Sequence, residues 1–329
     1  MSYRIGSFNI KNLSLSSGHD LDRIANIIND NHLDLVAMQE VLSEGKALTG
    51  ISLNEPSAAA KAYERSLLRR LKGNWEIAWL DPKSSAKSYP YLGEDKRGEG
   101  YAFLWNADKF ELPCYSSGQK IRPTIWRQYR TNSDAGIIKL IREPGYGRFK
   151  IKNLRAEIRL ITTHIVFGKP TNGNMSVNLD AGAIQMRRNE FNILASQIYP
   201  RIRDYCSDTS NNVAYTIILG DYNLNLESSG LGAALIPDVA CFDDSGKEII
   251  YTVQSNPSTL KQNEPGYSNN YDHFSYDQRV KDNIVKSVEV IDAVHQHTAS
   301  GDSSEADYFN TYRQKVSDHI PIVIEVDLR

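Results

Sequence analysis

The stretch IILGDYNLNL, residues 217–226, places oxygen-bearing side chains directly after an apolar segment. Asp221, Asn223 and Asn225 occupy alternate positions behind Gly220. Because alternate side chains of an extended chain share a face, we expect Asp221 and Asn223 to point into one site. Carboxylate and amide oxygens, without cysteine, suit a hard cation such as Mg²⁺ or Mn²⁺. The stretch therefore predicts part of a divalent-cation site.

Acids, amides and histidines also end several other predicted strands. A single residue of this kind usually serves a turn or the local structure. Recurrence changes the interpretation, because strands of one sheet finish at shared edges and their terminal side chains converge there. We expect Glu40 and Asp318 to complete the cation ligands. The full set is Asn9, Glu40, Glu99, His164, Asp221, Asn223, Asp272, Asp318 and His319.

The placement of two histidines is typical of a hydrolase. His164 ends the apolar stretch LITTH, and His319 precedes IPIVIEV. A catalytic imidazole needs a carboxylate that fixes its tautomer and its ring orientation. Glu99 and Asp272 are available for that task, so we expect each histidine to have its own acid.

The elements that position these residues form one predicted α/β domain, residues 1–329. Apolar alternation predicts strands in YRIGSFNI, LDLVAMQEV, WEIAWL, GYAFLWN, IIKLI, GRFKI, EIRLITTHIVF, YTIILGDYNLNL, NYDHFSYD and DHIPIVIEVDL. Helical spacing predicts helices in DLDRIANIINDNH, in PSAAAKAYERSLLRRLKG and over residues 179–198. Clusters of Gly, Pro, Ser and Asn predict long loops at 82–98, 168–173 and 243–270.

Composition is typical of a soluble globular protein, with 40% hydrophobic and 24% charged residues and a net charge of −2. The sequence lacks an apolar run of about 18 residues and a secretory pattern at its start, so we expect a cytoplasmic protein without a membrane span. The three cysteines lie far apart, which excludes a disulfide framework and a CxxC zinc site.

Residues 120–159 form a basic strip, with 11 Lys or Arg against 3 Asp or Glu. Aromatic residues are interleaved with these charges. Such a strip can follow a phosphate backbone, or it can be the solvated face of ordinary strands. Composition leaves both interpretations open.

Four motifs, in order along the chain, resemble those of the endonuclease/exonuclease/phosphatase superfamily. They are FNIKN, LVAMQEV, GDYNLN and VSDHIPIVIEV. The segments EGYAFLWN, REPGYGRF and NNYDHF are similar to those of the pancreatic-type deoxyribonucleases. The resemblance implies a four-layer α/β/β/α sandwich, in which two packed mixed β-sheets carry helices on their outer faces.

The resemblance also implies roles for these residues. Glu40, helped by Asn9, holds Mg²⁺ or Mn²⁺, while Asp318, Asp221 and Asn223 complete a metal site or position the water. His319, oriented by Asp272, is the expected general base. His164, oriented by Glu99, stabilises the phosphate or protonates the leaving oxygen. The two histidine roles can be reversed, and Asp221 can instead activate the water.

Substrate contacts are carried over in the same way. Arg142 in REPGYGRF is expected to contact a DNA phosphate, and Arg148 of the same segment joins the substrate-binding set with Asn9. Arg97 stands where the deoxyribonucleases have a tyrosine that stacks on sugar, and Leu42 stands where they have a groove-binding arginine. Because of these two differences, the resemblance does not imply how the protein would recognise the DNA groove.

The resulting expectation is a monomeric DNA endonuclease that leaves 3′-hydroxyl and 5′-phosphate ends. One alternative is a repair nuclease for abasic sites, of the exonuclease III type, or a nuclease for RNA. Another is a phosphodiesterase or phosphatase acting on a lipid or inositol phosphate. A binding module on a decayed hydrolase scaffold is the third, although none of the paired acids and histidines is missing.

Overall fold

A computed structural model describes most of the chain. The described residues are 1–14, 17–42, 58–80, 99–126, 131–133, 136–138, 140, 142–167, 179–205, 212–226, 235–237, 240–243, 246–297, 301 and 303–328. They form two large β-sheets, two short hairpins and flanking helices.

The first sheet has six strands in the order β16-β17-β1-β2-β4-β3. Their bounds are β1 (Ser2–Leu13), β2 (Leu35–Leu42), β3 (Trp75–Leu80), β4 (Glu99–Asn106), β16 (Val285–Val290) and β17 (Ile322–Asp327). Strand β1 runs parallel to β2 and antiparallel to β17, which makes the sheet mixed.

The second sheet has seven strands in the order β14-β15-β11-β10-β9-β5, with β6 paired to β9. Their bounds are β5 (Phe110–Glu111), β6 (Thr124–Ile125), β9 (Gly145–Ile151), β10 (Ala156–His164), β11 (Val213–Asp221), β14 (Tyr251–Val253) and β15 (Asp272–Tyr276). Strands β10 and β11 are parallel, whereas β15 runs antiparallel to β11. The two hairpins are β7 (Thr131–Ser133) with β8 (Gly136–Ile138), and β12 (Ala240–Asp243) with β13 (Gly246–Ile249).

The described residues also contain α-helices, several of which begin at a side-chain cap. They are α1 (Leu21–Asp30), α2 (Ala58–Leu68), α3 (Leu179–Ile193), α4 (Tyr199–Arg203), α5 (Gln278–Asn283), α6 (Ala293–Gln296) and α7 (Glu305–Lys315). The Asp20 carboxylate accepts from the Arg23 N–H at the start of α1, and Ser304 forms a capping box with Asp307 at α7. Among these helices, none is long and apolar enough to cross a membrane.

Three apolar clusters define the layers of the fold. The central cluster lies between the sheets and takes Tyr3 and Ile5 from β1. Phe8 and Ile10 of the same strand face the opposite way, into a cluster under α1 and α7. A third cluster packs α3 and α4 on the outer face of the second sheet. This alternation builds a four-layer α/β/β/α sandwich and confirms the predicted fold class.

Most predicted elements are present, with changes at their ends. The strand predicted at 75–80 has those bounds in the structure. The helix predicted over 179–198 is α3 followed by a π-helical turn that leads into α4. The predicted loop at 243–270 contains β13 and β14, because short edge strands lack a strong apolar pattern. The predicted loops at 82–98 and 168–173 lie outside the described residues.

A buried ion cluster joins two strands of the basic strip. The Glu157 carboxylate on β10 accepts from Arg148 Nε and Nη2, both at 2.7 Å, and from Arg159 Nε at 2.7 Å. Arg159 Nη1 also donates to the carbonyl of Ile202 at the end of α4. Part of the strip therefore points into the protein and ties α4 to the second sheet.

This cluster gives a stability prediction. Glu157→Gln should lower the free energy of unfolding by about 3–5 kcal/mol, because two buried guanidinium groups lose their counter-charge. Urea-induced unfolding measures the change. Glu111→Gln is the matched control, since that carboxylate pairs with Lys150 on the neighbouring surface and should cost at most about 1 kcal/mol. Equal losses for the two variants would contradict the structural role of Glu157.

Candidate active site

The site lies on the inner faces of the two sheets, at one end of the sandwich. On β11, Ile217 and Leu219 pack in the central cluster, and Asp221 continues the same face where the strand ends. In the strand register His164 stands opposite Asp221, and Asp221 stands opposite Asp272. Asn9 on β1 and Glu99, the first residue of β4, lie at the same rim. Distant parts of the chain therefore meet at one rim.

Gly220 allows the close approach of β10 and β11 at this rim. Its φ is +141°, a conformation that favours glycine. A Cβ at this position would lie 2.0 Å from the carbonyl oxygen of Thr163. Any side chain here would separate the two strands, so glycine is required to bring Asp221 beside His164.

Glu40 reaches the site through a β-bulge. The pairing of β2 with β4 shifts between Gln39 and Val41, and Glu40 has a φ of +57°. Asn9 Nδ2 donates to Glu40 Oε1 and to Asp221 Oδ2, both at 3.0 Å. The Asn9 amide therefore links the carboxylates of the two sheets.

Two imidazoles flank the Asp221 carboxylate. His164 Nε2 lies 3.5 Å from Asp221 Oδ2, and its Nδ1 lies 3.2 Å from Glu99 Oε2. His319 Nε2 lies 3.6 Å from the same Asp221 oxygen, and its Nδ1 donates to Asp272 Oδ2 at 2.8 Å. Each histidine thus lies beside its own acid, in the pairs that the family resemblance implied.

Neighbouring carboxylates raise the pKa of both histidines. Burial lowers the pKa of His319, but Asp272 and Asp221 outweigh it and hold that pKa well above its usual value. Burial and Arg142 lower the pKa of His164, while Glu99, Asp221 and Glu40 raise it, with a net increase. Both rings therefore retain a proton more readily than a free histidine.

The Asp221 carboxylate is buried, with 1% of its surface exposed. Burial raises its pKa, and the two imidazoles partly oppose that effect. Its Oδ1 accepts from the Asn223 N–H at 2.8 Å. Both carboxylate oxygens are therefore fixed in direction.

The donor set fits a divalent cation. Within the described part of the chain, Glu40, His164 and Asp221 bring one ligand atom each to within 4.8 Å of one another. Two of these ligands are carboxylates, which suit Mg²⁺ or Mn²⁺. A cation here would also offset the repulsion between Glu40 and Asp221.

Other predicted metal ligands have different partners. Asp318 Oδ2 lies 2.7 Å from Lys11 Nζ, and Asp318 is outside the group of three, so we leave it out of the proposed ligands. The Asn9 amide oxygen accepts from the Lys11 N–H, and its nitrogen faces the carboxylates. In this arrangement Asn9 orients the two carboxylates, and its place among the metal ligands stays a prediction.

The residues after Asp221 do not continue the strand. Asn223 has a φ of +50°, and its Nδ2 donates to the carbonyl of Ile165 at 2.7 Å. Asn225 Oδ1 accepts from the Asn270 N–H at 3.1 Å and anchors the chain that leads into β15. Asn223 remains next to the site, but the alternation used to predict its direction ends at Asp221.

The predicted substrate-binding arginines also differ from expectation. Arg142 is 7% exposed, and its Nη2 lies 2.6 Å from Glu99 Oε2, so it belongs to the site as a partner of that acid. Arg148 is buried on Glu157, which corrects the prediction that it contacts substrate. Arg97 lies outside the described residues.

Some supporting residues had no role in the sequence interpretation. Ser258 Oγ donates to Asp272 Oδ2 at 2.6 Å. Ser317 Oγ donates to the Asn9 carbonyl at 2.7 Å and accepts from the His319 N–H. Arg187 Nη1 donates to the Asn223 carbonyl at 2.7 Å. Only Ser317 carried a signal, as the residue two positions before His319 in VSDH.

Comparison with solved structures supports the architecture. A family protein from Bacteroides thetaiotaomicron is 16% identical with a TM-score of 0.53, and the alignment covers 100% of this chain and 96% of that one. A Bacteroides vulgatus endonuclease/exonuclease/phosphatase is 14% identical with a TM-score of 0.54 over all of both chains. D. rerio TDP2, complexed with a single-strand DNA product, is 12% identical with a TM-score of 0.50 over 99% of each. At these identities the likeness concerns the fold alone.

Sequence comparison assigns the family. A search of curated proteins found no match. The model of the Endonuclease/Exonuclease/phosphatase family, in contrast, matches residues 6–319, a span that runs from β1 to His319. Because this span covers most of the chain and includes the residues of the site described above, the chain belongs to the endonuclease/exonuclease/phosphatase family, whose members are phosphoester hydrolases.

Proposed function

We propose that this protein is a divalent-metal-dependent phosphodiesterase that hydrolyses DNA to 3′-hydroxyl and 5′-phosphate ends. One observation carries the proposal: the buried Asp221 carboxylate lies 3.5 and 3.6 Å from two imidazoles, each held by its own acid. Glu40 is linked to that same carboxylate through Asn9. Proton donors and a cation site around one point can stabilise the charge of a phosphodiester transition state.

Glu40 and Asp221 would hold the cation. When bound, Mg²⁺ or Mn²⁺ supplies positive charge against a phosphate oxygen. Asn9 keeps the two carboxylates together, and the central cluster beneath them excludes water from one side of the site.

The remaining residues move protons. Water attacks phosphorus, the bond from phosphorus to the 3′ oxygen breaks, and that oxygen leaves with a proton. We assign Asp221 to accept the proton of the water, because its carboxylate lies between the two imidazoles. His319 and His164, with raised pKa values, act as donors to the phosphate and to the leaving oxygen. Among the roles that the resemblance left open, this is the one in which Asp221, instead of His319, activates the water.

DNA is supported as the substrate by the deoxyribonuclease-like segments EGYAFLWN, REPGYGRF and NNYDHF. A small phosphodiester, such as a lipid or inositol phosphate, is the second candidate. It is favoured by the inward pairing of Arg142 with Glu99 and of Arg148 and Arg159 with Glu157. Those pairs remove cations that a long phosphate backbone would otherwise contact.

The first prediction separates these substrates. With Mg²⁺, the protein should nick plasmid DNA, and excess EDTA should abolish nicking until Mg²⁺ or Mn²⁺ is restored. A panel of plasmid, single-stranded DNA, abasic duplex, RNA, sphingomyelin and inositol polyphosphates measures the preference, and end-labelling identifies the products. Turnover in EDTA would contradict the metal requirement, and turnover of the lipid or inositol substrates alone would contradict the proposed substrate.

The second prediction concerns the protonation state of His319. Asp272→Asn should lower the His319 pKa, because that carboxylate is the strongest influence raising it. If protonated His319 is the donor, activity is lost as pH rises through its pKa. The alkaline limb of the pH–rate profile should therefore move to lower pH, by about 1–3 units.

A general-base role for His319 predicts a change in the acid limb of the pH–rate profile instead. If His319 acts as the base, its neutral form is active, and Asp272→Asn should extend activity on the acid side. Asp292→Asn is the matched control, because Asp292 pairs with the exposed His295, which is not part of the site. Its pH profile should equal that of the wild type.

The third prediction concerns Arg142. Arg142→Ala should lower turnover by about 10- to 100-fold, because Glu99 loses the cation that helps it orient His164. The salt dependence of DNA binding should not change, since this guanidinium lies on Glu99. Arg122→Ala, at an exposed position of the same strip, is the comparison and should reduce the salt slope by about 0.9. A reduced salt slope of DNA binding for Arg142→Ala would contradict this and indicate that Arg142 contacts a phosphate.

A further inference from the structure

An exposed aromatic ring stands at the rim of the active site. Phe167 follows His164 by three residues, and 45% of its surface is exposed. Three residues span at most about 11 Å, so the ring lies within reach of a group attached to the phosphate beside His164.

A buried arginine fixes this ring from behind. The Arg187 guanidinium carbon lies 4.6 Å from the centroid of the Phe167 ring, and Arg187 is only 5% exposed. A guanidinium over an aromatic face is attracted by the ring quadrupole. The same guanidinium donates to the Asn223 carbonyl at 2.7 Å. Arg187 therefore holds one face of Phe167 next to Asn223, and the exposed part of the ring can contact a ligand.

A second ring extends the surface. Tyr271 directly precedes Asp272, and its ring centroid lies 6.4 Å from that of Phe167. The Tyr271 carbonyl accepts from the Tyr222 N–H at 2.8 Å, which joins this residue to the strand end at Asp221. The two ring planes are tilted by 43°, and together Phe167 and Tyr271 form an aromatic platform next to the strand ends that carry His164 and Asp272.

We propose that the aromatic platform is a base-binding subsite, on which a nucleobase adjoining the scissile phosphate stacks. Every nucleobase has a π-face, and stacking on an aromatic side chain tolerates any base sequence. Inositol and phosphocholine groups have no such face, so the platform favours a nucleic acid over those esters. The inference rests on the proposed function and specifies what the site recognises beyond phosphate.

The test compares cleavage with and without a base at one position. A labelled oligonucleotide with a single tetrahydrofuran abasic residue, single-stranded or in duplex, is cut with Mg²⁺ and resolved at each phosphate. The wild type should cut the phosphates flanking the missing base roughly tenfold more slowly than the others. Phe167→Ala should slow the other phosphates by the same factor and leave the flanking ones unchanged, while Phe167→Trp should restore the wild-type pattern.

Controls separate stacking from folding. Tyr205→Ala removes an aromatic ring of similar exposure. The Tyr205 carbonyl accepts from Arg159, which lies five residues before His164 on β10. This variant should leave the cleavage pattern unchanged. Thermal unfolding should show that Phe167→Ala remains folded. Either of two results would overturn the subsite without contradicting DNA hydrolysis. One is a wild-type cleavage pattern from Phe167→Ala. The other is wild-type protein that cuts the phosphates beside the missing base as fast as the other phosphates. Hydrolysis of sphingomyelin or inositol phosphates with no cut oligonucleotide would instead overturn the proposed function, and the subsite with it.

Discussion

The burial of one carboxylate, that of Asp221, constrains the rest of the site. An ionised carboxylate removed from water costs several kcal/mol unless charges and hydrogen bonds compensate. Here Asn9 and the Asn223 N–H donate to it, and the rings of His164 and His319 lie beside it. Because those rings must be cationic to compensate, each needs a further acid, which explains the paired carboxylates behind them.

The sandwich supplies these partners through the simplest property of a strand, its alternation. Residues of the inner face fill the central cluster along most of β10, β11 and β15. At the rim, the inner-facing residue that ends β10, ends β11 or begins the antiparallel β15 is polar. The sequence predicted this gathering, because His164, Asp221 and Asp272 lie at the ends of apolar strands that share an edge once they pair. The pattern left two acids available for the two histidines, and the family resemblance implied which acid belongs to which histidine.

Features set by local backbone or by tertiary partners were beyond prediction. Glu40 would face away from the site in a regular strand, and a bulge with positive φ redirects it. Residue type gives the charge of Arg142 and Arg148 but not the buried acid that neutralises each. The Phe167 ring carried no motif at all, since its position depends on Arg187, twenty residues further along the chain.

Anomalous diffraction from a crystal of the protein soaked in Mn²⁺ tests this account most directly. The account predicts a manganese peak bonded to the carboxylates of both Glu40 and Asp221, with the His164 and His319 rings still on either side of Asp221. A peak bonded to Asp318 without Asp221, or the two rings displaced from the Asp221 carboxylate, would contradict it.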